Sequence, residues 1–396
     1  MKKLKKKNGI TLISLVITIV ILLILVGISI FVLTNTGIFE KAKEAKEKYE
    51  ESVSKQNEEL EIYEEEIGKT LCAKEYTSAK NITEAQTEDM LDKKVNSKII
   101  DAYGNKITIP TGFKIKSDKT TNNAITVNQG IVIVDKEENE FVWVPVGKIY
   151  TDVERTDENS KTIELKRTSF YKDGVEFFNN SVEEDRGDTT KTLENMGNII
   201  AKNITDFKNS VSNNGGYYIG RYEAGVTGYD INNVKTENKN KEVNWTGYVN
   251  EKNQQLKVVS KANQQVWNYI TQNKAAELSQ NMYNSSKFTS DLINSYGWDT
   301  AITFIQECTD KIDYSKQTSF NKLLAKTGTL GDNPCNIHDM DGNVVEWSTE
   351  TSHDFYAPCI YRGGTYYKKI GYAGFRYGGR IFSGTFDFGF RVLLYL

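Results

Sequence analysis

The stretch that decides the fold is NIHDMDGNVVEW at residues 336–347, followed by YRGGTY at 361–366 and GFRV at 389–392. The first block brings two aspartates, a glycine and a glutamate close together, which predicts a tight acidic turn ahead of a buried tryptophan. The last 36 residues are rich in glycine and aromatic side chains of alternating character. This pattern predicts short twisted strands joined by tight turns.

Upstream of these blocks, strand patterns and helix patterns alternate along the chain. IVIV at 131–134 and FVWVPV at 141–146 are two β-branched runs about a short charged turn, which predicts a hairpin. GGYYIGRYE at 215–223 predicts another strand. Residues 261–309 carry helical spacing, whereas residues 150–215 are polar and predict mostly loops.

In their order and spacing, the three C-terminal blocks resemble the formylglycine-generating, or sulfatase-modifying-factor, family. The fold of that family is a variant of the C-type lectin fold. The resemblance spans residues 126–396. It implies a C-type-lectin-like domain with short twisted strands and few helices. With a long N-terminal membrane and stalk helix before this domain, we expect the whole chain to be of the α+β class.

The resemblance does not carry over to the chemistry of that family. Its enzyme oxidises a substrate cysteine with two copper-binding cysteines that lie between the RGG-type and GFR-type blocks. Residues 365–388 contain no cysteine here, and a related branch that binds iron needs three histidines where this chain has two. We therefore expect no enzymatic activity. The rival hypothesis is an enzyme of the same fold that uses Cys308, Cys335 or Cys359 in a different site.

A calcium site is implied by the resemblance at the acidic turn. The positions that match the ligands of the family are Asp339, the carbonyls of Gly342 and Val344, and Glu346. Hard oxygen ligands within so short a stretch suit Ca²⁺. The alternative is a bare acidic turn with Trp347 in the core, and the sequence leaves both open.

A ligand-binding surface is predicted between the RGG and GFR blocks, where aromatic side chains alternate with glycines. Lectin-type folds often bind ligands through this region, and so do the retroelement-diversified variable proteins, whose residue mixture is similar. Tyrosine on a small-residue backbone provides contact area at low entropic cost. Our candidates are Tyr367, Tyr372, Tyr377 and Phe386. The alternative is that half of these rings belong to the core.

The N-terminus predicts a membrane helix. Ile10–Leu33 contains 24 consecutive residues without a charge, and a helix of that length reaches about 36 Å, enough to cross a hydrocarbon core of about 30 Å. Lysines flank it on the N-terminal side, which orients residues 34–396 away from the cytoplasm. A cleaved secretory signal would have a shorter apolar region followed by a cleavage site of small residues.

The leader at residues 1–9 and the helix at 10–33 resemble the prepilin-type N-terminal methylation segment. In that family a prepilin peptidase cuts after the glycine, here Gly9, and the new terminal residue, here Ile10, is methylated. The helix then packs into a pilus or pseudopilus. Ser14 stands where the family usually has the glutamate associated with subunit registration, so cleavage is better supported than polymerisation.

Between the membrane helix and the C-terminal domain, the sequence predicts a stalk and a linker. Residues 34–67 predict an extracytoplasmic helix, and Glu44 and Lys48 are spaced to pair across one turn. This helix is either a coiled stalk or a single helix lying against the globular part. Residues 68–125 are polar and predict a linker with one or two short strands.

Charge and composition narrow the classes of partner. The net charge is −3, and five lysines lie in the first seven residues, so the rest of the chain is more acidic still. An acidic body argues against nucleic acid as a partner. We expect a single-pass surface protein of the cell membrane, or of a pilus or pseudopilus, that binds an extracellular protein or glycan. The alternative is a structural minor pilin in a pilin-like assembly.

Overall fold

The computed structural model divides into two compact units, Met1–Thr77 and Ser78–Leu396. It describes residues 17–24, 43–46, 48, 52, 88–116, 126–170, 181–182, 204–229, 256–331, 333–352, 354 and 356–396. Gly9, Ile10 and most of the predicted membrane and stalk helices lie outside these residues, as do Cys72 and His353.

In the first unit, residues 17–24 are helical and expose apolar side chains, from 47% at Val20 to 67% at Leu23. Over the described part of the chain, no helix is both long enough and apolar enough to span a bilayer. Residues 43–46 are also helical, and Lys48 Nζ donates to Glu44 Oε1 at 2.7 Å. That contact confirms the predicted pair.

The second unit contains short strands and few helices, as expected for the α+β class. Its α-helices are α1 (Ile204–Asn214), α2 (Gln272–Gln280) and α3 (Ser295–Cys308). Its 3₁₀ turns are Glu88–Asp92, Val127–Gln129, Tyr314–Lys316 and Pro334–Asn336. Its strands are β1 (Ser97–Ile100), β2 (Lys106–Ile109), β3 (Phe113–Ile115), β4 (Val132–Asp135), β5 (Glu140–Pro145), β6 (Gly147–Tyr150), β7 (Ser160–Ile163), β8 (Ser181–Val182), β9 (Gly216–Gly220), β10 (Gly225–Thr227), β11 (Lys257–Val259), β12 (Gln265–Val266), β13 (Thr289–Leu292), β14 (Val345–Ser352), β15 (Cys359–Arg362), β16 (Arg376–Gly379), β17 (Phe388–Phe390) and β18 (Val392–Tyr395).

A six-stranded sheet in the order β13-β18-β9-β5-β4-β3 forms the centre of the unit. Strands β4 and β5 pair antiparallel, with Ile133 opposite Phe141, which confirms the predicted hairpin. Strand β9 continues the sheet, with Tyr218 opposite Trp143. Every residue of β5 and β9 is buried, which is why residues 141–145 and 217–219 form continuous apolar runs rather than alternating ones.

Strand β3 extends this sheet into the range that the sequence predicted to be a linker. Phe113 lies opposite Asp135 in the β3–β4 pair, and its ring packs edge-on against Phe141 at 5.9 Å. Strands β1 and β2 form a separate antiparallel pair within the same range. Residues 97–115 therefore contribute strands to the second unit.

A five-stranded sheet carries the three sequence blocks of the C-terminus. Its order is β16-β15-β14-β17, with β8 paired to the end of β14. The second block approaches the first closely because two glycines allow it. Gly363 adopts a φ of 84°, and Gly364 lies so close to the carbonyl oxygen of Asp341 that a Cβ atom would clash with it. These glycines let the β15 turn pack directly on the acidic turn.

Helix α3 anchors the C-terminal segment from the other side. It begins after Asn294, whose side chain caps the helix by accepting from Gly297 N at 2.8 Å. Trp298 is fully buried and its Nε1 donates to Ala373 O at 2.8 Å. The first turn of α3 thereby fixes the loop between the second block and β16.

Candidate functional site

A row of aromatic side chains crosses the five-stranded sheet. Trp347 lies opposite Tyr361, and Tyr361 lies opposite Tyr377, with ring centroids 5.8 Å and 5.9 Å apart. Phe388 on the neighbouring strand lies 5.0 Å from Tyr361. Exposure increases from 0% at Trp347 to 40% at Tyr377. The row therefore begins in the core and ends at the surface.

Further rings from the same segment reach solvent. Tyr367 is 47% exposed and packs edge-on against the half-buried Phe386 at 4.7 Å. Phe382, in the loop between β16 and β17, is 70% exposed. We define the aromatic surface as Tyr361, Tyr367, Tyr377, Phe382 and Phe386.

The structure places one of the four predicted binding residues in the core. Tyr372 is only 4% exposed, packs edge-on against Phe375 at 5.4 Å, and its hydroxyl donates to Phe170 O at 3.5 Å. It belongs to the core because the loop containing it is held down by α3 and by residues 164–170. Phe382 was not among the residues chosen from the sequence, and no pattern in the sequence distinguishes it from the neighbouring aromatic residues.

The opposite face of the same strands carries a buried ion cluster. Arg362 and Arg376 lie opposite each other on β15 and β16, next to Tyr361 and Tyr377, so their side chains point to the other face of the sheet. Arg362 donates to Asp299 and, at 2.7 Å, to Glu350. Arg376 donates to the same two carboxylates, at 2.6 Å each. All four side chains are at most 5% exposed.

A segment of the polar 150–215 region closes over this cluster. Thr168 N donates to Asp299 Oδ2 at 2.9 Å, and Arg167 Nη2 lies 3.3 Å from Glu350 Oε2. Burial alone would raise the pKa of Glu350, but the guanidinium groups of Arg376, Arg362 and Arg167 hold it well below its ordinary value. Glu350 is therefore a stable carboxylate at neutral pH.

Arg391 of the GFR block makes the second buried ion pair. Its Nε and Nη2 donate to the two carboxylate oxygens of Glu346 at 2.9 Å and 2.6 Å. It also donates to the carbonyls of Gly220 and His338. Arg391 therefore ties the last block to the acidic turn and to β9.

The acidic turn holds more carboxylates than the sequence indicated. Asp339, Gly342, Val344 and Glu346 are all buried in the turn, and Asp339 Oδ2 accepts from Gly328 N at 3.0 Å. The unanticipated neighbour is Glu223, 1% exposed, whose Oε2 has no hydrogen-bond partner among the described residues. Burial, and then the charge of Asp339, raise the pKa of Glu223 well above its ordinary value.

Within the described residues, no three His, Cys, Asp or Glu side chains are grouped so that they could hold a metal ion together. A calcium site at this turn would therefore depend on the backbone carbonyls of Gly342 and Val344. Buried oxygen donors are present near this turn, because the carboxyl groups of Glu223, Asp339 and Glu346 all act on the guanidinium of Arg391. Glu346 is already engaged by that guanidinium through both oxygens.

The three described cysteines are unpaired and protected. Cys335 and Cys359 are buried, and Cys308 is half-buried. Burial raises the pKa of Cys308 and of Cys359 to about 12, and it raises the pKa of Cys335 well above its ordinary value. A thiol is nucleophilic as the thiolate, so these environments do not favour a catalytic cysteine.

We expect Cys308, Cys335 and Cys359 to resist alkylation at pH 8 in the folded protein. The raised pKa values leave almost no thiolate at that pH, and burial restricts access. The measurement is the rate of iodoacetamide labelling by peptide mass spectrometry, with the urea-denatured chain as the control. Labelling of any one of them at the rate of the denatured chain would contradict this prediction and favour the rival enzyme hypothesis.

Comparison with known proteins supports one part of the sequence-based resemblance. Residues 221–395 match the family described as the sulfatase-modifying factor enzyme 1-like domain. No curated protein matches the chain. The prepilin-type segment is not shown by these comparisons.

Two solved structures show weak similarity. CarF, known from a crystal structure, is 16% identical with a TM-score of 0.22, and the match covers 27% of this chain and 48% of CarF. The chain thus spans about half the length of CarF. Variable protein 1 of Treponema denticola is 10% identical with a TM-score of 0.21, over 77% of this chain and 100% of that protein. TM-scores this low do not establish a shared fold.

Proposed function

We propose that the sulfatase-modifying factor enzyme 1-like domain of this chain is a non-catalytic, lectin-fold module that binds a ligand and is displayed on a bacterial cell surface. The observation that carries the proposal is that the two faces of β15 and β16 bear different side chains. One face of these strands holds the buried ion cluster, and the other carries Tyr361 and Tyr377, two rings of the aromatic surface.

This arrangement supports binding because the buried arginines stabilise the strands, whereas the aromatic rings on the other face are the side chains that a ligand would contact. Arg362 and Arg376 fix the backbone of both strands from beneath. Tyr361 and Tyr377 alternate with them on the outer face. Tyrosine rings provide rigid contact area with a polar end, and aromatic anchors dominate the energy of most interfaces.

The thiol chemistry of the chain supports a non-catalytic role. The segment that holds the catalytic cysteines in the resembled family has none here. The described cysteines lie elsewhere, in α3, the 3₁₀ turn at Pro334–Asn336 and β15, with raised pKa values. A redox reaction at this domain would need a nucleophile that those environments do not favour.

The proposal is tested by probing an array of extracellular proteins and glycans with the full chain. The expected result is at least one ligand that is bound by the wild type and lost in the variant Tyr367→Ser/Tyr377→Ser/Phe382→Ser. A matched control is Tyr103→Ser/Tyr150→Ser/Tyr229→Ser, three half-buried tyrosines outside the aromatic surface. Ligands that bind wild type and aromatic variant equally would overturn the proposed surface.

We also propose that the chain is anchored by the helix at residues 10–33, with its C-terminal domain extracytoplasmic. This proposal rests on the charge-free run Ile10–Leu33 and on the lysines that precede it. Residues 17–24 of that run are helical, and their apolar side chains are exposed. The proposed partners are the membrane and a prepilin peptidase that would cleave after Gly9.

The expected result for topology is that a protease added to intact protoplasts removes the C-terminal domain. Mass spectrometry of the mature chain should then find methylated Ile10 at its N-terminus. The control is a cytoplasmic marker protein, which must survive the treatment. Full protection of the domain would contradict the orientation, and retention of Met1–Gly9 would contradict the processing.

A structural calcium ion at the acidic turn remains a proposal, supported by the surplus of buried carboxylates around Arg391. The ion would supply positive charge to Asp339 and Glu346, with the carbonyls of Gly342 and Val344 completing the oxygen ligands. A cation that binds only the folded state raises stability with the logarithm of its concentration over its Kd.

We expect the Tm of the wild type to rise when calcium replaces chelator, and the variant Asp339→Asn to lose most of that increase. Asparagine keeps an oxygen acceptor for Gly328 N but removes the charge. Glu346 is a poor choice for this test because its replacement would leave the buried guanidinium of Arg391 without its carboxylate partner. Thermal unfolding in calcium and in EDTA is the measurement, and equal Tm values for the wild type would identify a bare turn.

A further inference from the structure

Three cationic side chains border the aromatic surface. Lys368, Lys369 and Arg380 are all exposed. Lys368 Nζ lies 5.3 Å from the ring centroid of Tyr367, and Arg380 Cζ lies 5.9 Å from that of Phe382. Two of the three charges therefore lie against rings of the aromatic surface, and Lys369 directly follows Lys368 in the chain.

These cations lack carboxylate partners within the described part of the chain. Lysines elsewhere on the domain are commonly paired, for example Lys274 with Glu277 at 2.6 Å and Lys316 with Asp313 at 2.8 Å. The one acidic residue at 365–388 is Asp387, and it accepts from Thr385 Oγ1 at 2.7 Å.

The charge at the aromatic surface is therefore positive, whereas the net charge of the whole protein is negative. The whole chain has a net charge of −3, yet Lys368, Lys369 and Arg380 in its C-terminal segment are exposed and have no carboxylate partner among the described residues. Complementary charge steers association and excludes partners of the same sign. An anionic ligand matches this arrangement, and a second copy of this acidic chain does not.

Exposed apolar side chains favour an acidic protein over an anionic polysaccharide as the ligand. Ile370 is 52% exposed and Phe382 is 70% exposed, beside Lys369 and Arg380. Burying aliphatic and aromatic side chains requires apolar groups on the other side of the interface. A protein surface offers carboxylates and apolar side chains together, whereas an anionic polysaccharide offers mainly the charge.

We propose that the aromatic surface binds an acidic protein surface, in which aspartate and glutamate side chains surround apolar ones. This inference rests on the proposed function and names the class of partner for the same site. The cations would pair with the carboxylates at the rim, while the rings and Ile370 contact the apolar centre. Association would then weaken as salt concentration rises.

The test pans a phage-displayed library of random dodecamer peptides against the full chain and measures binding of the enriched synthetic peptides. The charge variant is Lys368→Gln/Lys369→Gln/Arg380→Gln. Its matched control is Lys94→Gln/Lys136→Gln/Lys287→Gln, which removes three exposed cations outside the segment. Polysialic acid and alginate are probed in parallel. Far-UV circular dichroism and thermal unfolding verify that both variants fold.

The expected result is enrichment of peptides that combine Asp or Glu with aromatic or aliphatic residues. Their association rate should fall roughly tenfold or more in the charge variant and hardly change in the control. Peptides without acidic enrichment, or equal binding by the charge variant, would overturn the inference. It would also be overturned by binding of the polysaccharides alone. If the enriched peptides instead bind the aromatic variant as well as the wild type, the proposed surface itself is wrong.

Discussion

Replacing Asp299 with alanine is expected to destabilise the domain by about 3–5 kcal/mol, the range for removing one partner of a buried ion pair. The reason is that Arg362 and Arg376 both donate to this carboxylate, and both are at most 5% exposed. The Coulombic attraction is lost while the guanidinium groups stay buried. Thr168 N loses its acceptor as well.

The measurement is urea-induced unfolding of the full chain, and the matched control is Asp313→Ala. Asp313 pairs with Lys316 at 2.8 Å, but its side chain is 70% exposed, so solvent screens the pair and its loss should change stability little. Similar midpoints for the two variants would contradict the view that the buried cluster holds β15 and β16 in place.

The same cluster implies a dependence on pH through Glu350. Its pKa in the folded protein lies below the ordinary value of 4.5, so its stabilising contribution is complete above that value and is lost as the pH falls below it. The variant Glu350→Gln should therefore be much less stable than the wild type at neutral pH, with a gap that narrows in acid. A gap independent of pH would contradict this assignment.

The variant Tyr367→Ser/Tyr377→Ser/Phe382→Ser is expected to lose ligand binding by at least about 100-fold while it still folds cooperatively. Hot-spot aromatic residues each contribute about 2 kcal/mol or more when truncated, which supports a loss of this size. The three side chains are 47%, 40% and 70% exposed, so their removal deletes little core packing. Stability should therefore change far less than affinity.

The control for this prediction is Tyr372→Ser in the same segment. Tyr372 is 4% exposed and packs against Phe375, and truncation of a buried aromatic costs about 3–5 kcal/mol. This variant should lose stability first and binding only as a consequence. Thermal unfolding and equilibrium binding of both variants separate the two effects, and equal stability losses would contradict the division into surface and core.

The sequence predicted the features that depend on local pattern. Two β-branched runs about a charged turn gave the β4–β5 hairpin, and the helical spacing over 261–309 contains α2 and α3. Each of these follows from periodicity or from a short motif whose residues fold next to one another.

The remaining features depend on contacts between residues far apart in sequence. The alternation of Tyr361 with Arg362 signals two faces, but only the packing of α3 shows that Asp299 receives the arginine. Tyr361 lies half-buried on the other face. Glu223 joins the acidic turn from more than a hundred residues upstream. Tyr372 and Tyr377 look alike in sequence, and their burial differs because one lies beneath Phe170.

The central proposal is that this domain binds its ligand through the aromatic surface. The most direct test measures affinity and Tm together for the wild type and the triple serine variant, with a ligand found on the array. We expect the variant to lose binding and to keep a cooperative transition within a few degrees of the wild type. A variant that folds and binds as tightly as the wild type would contradict it.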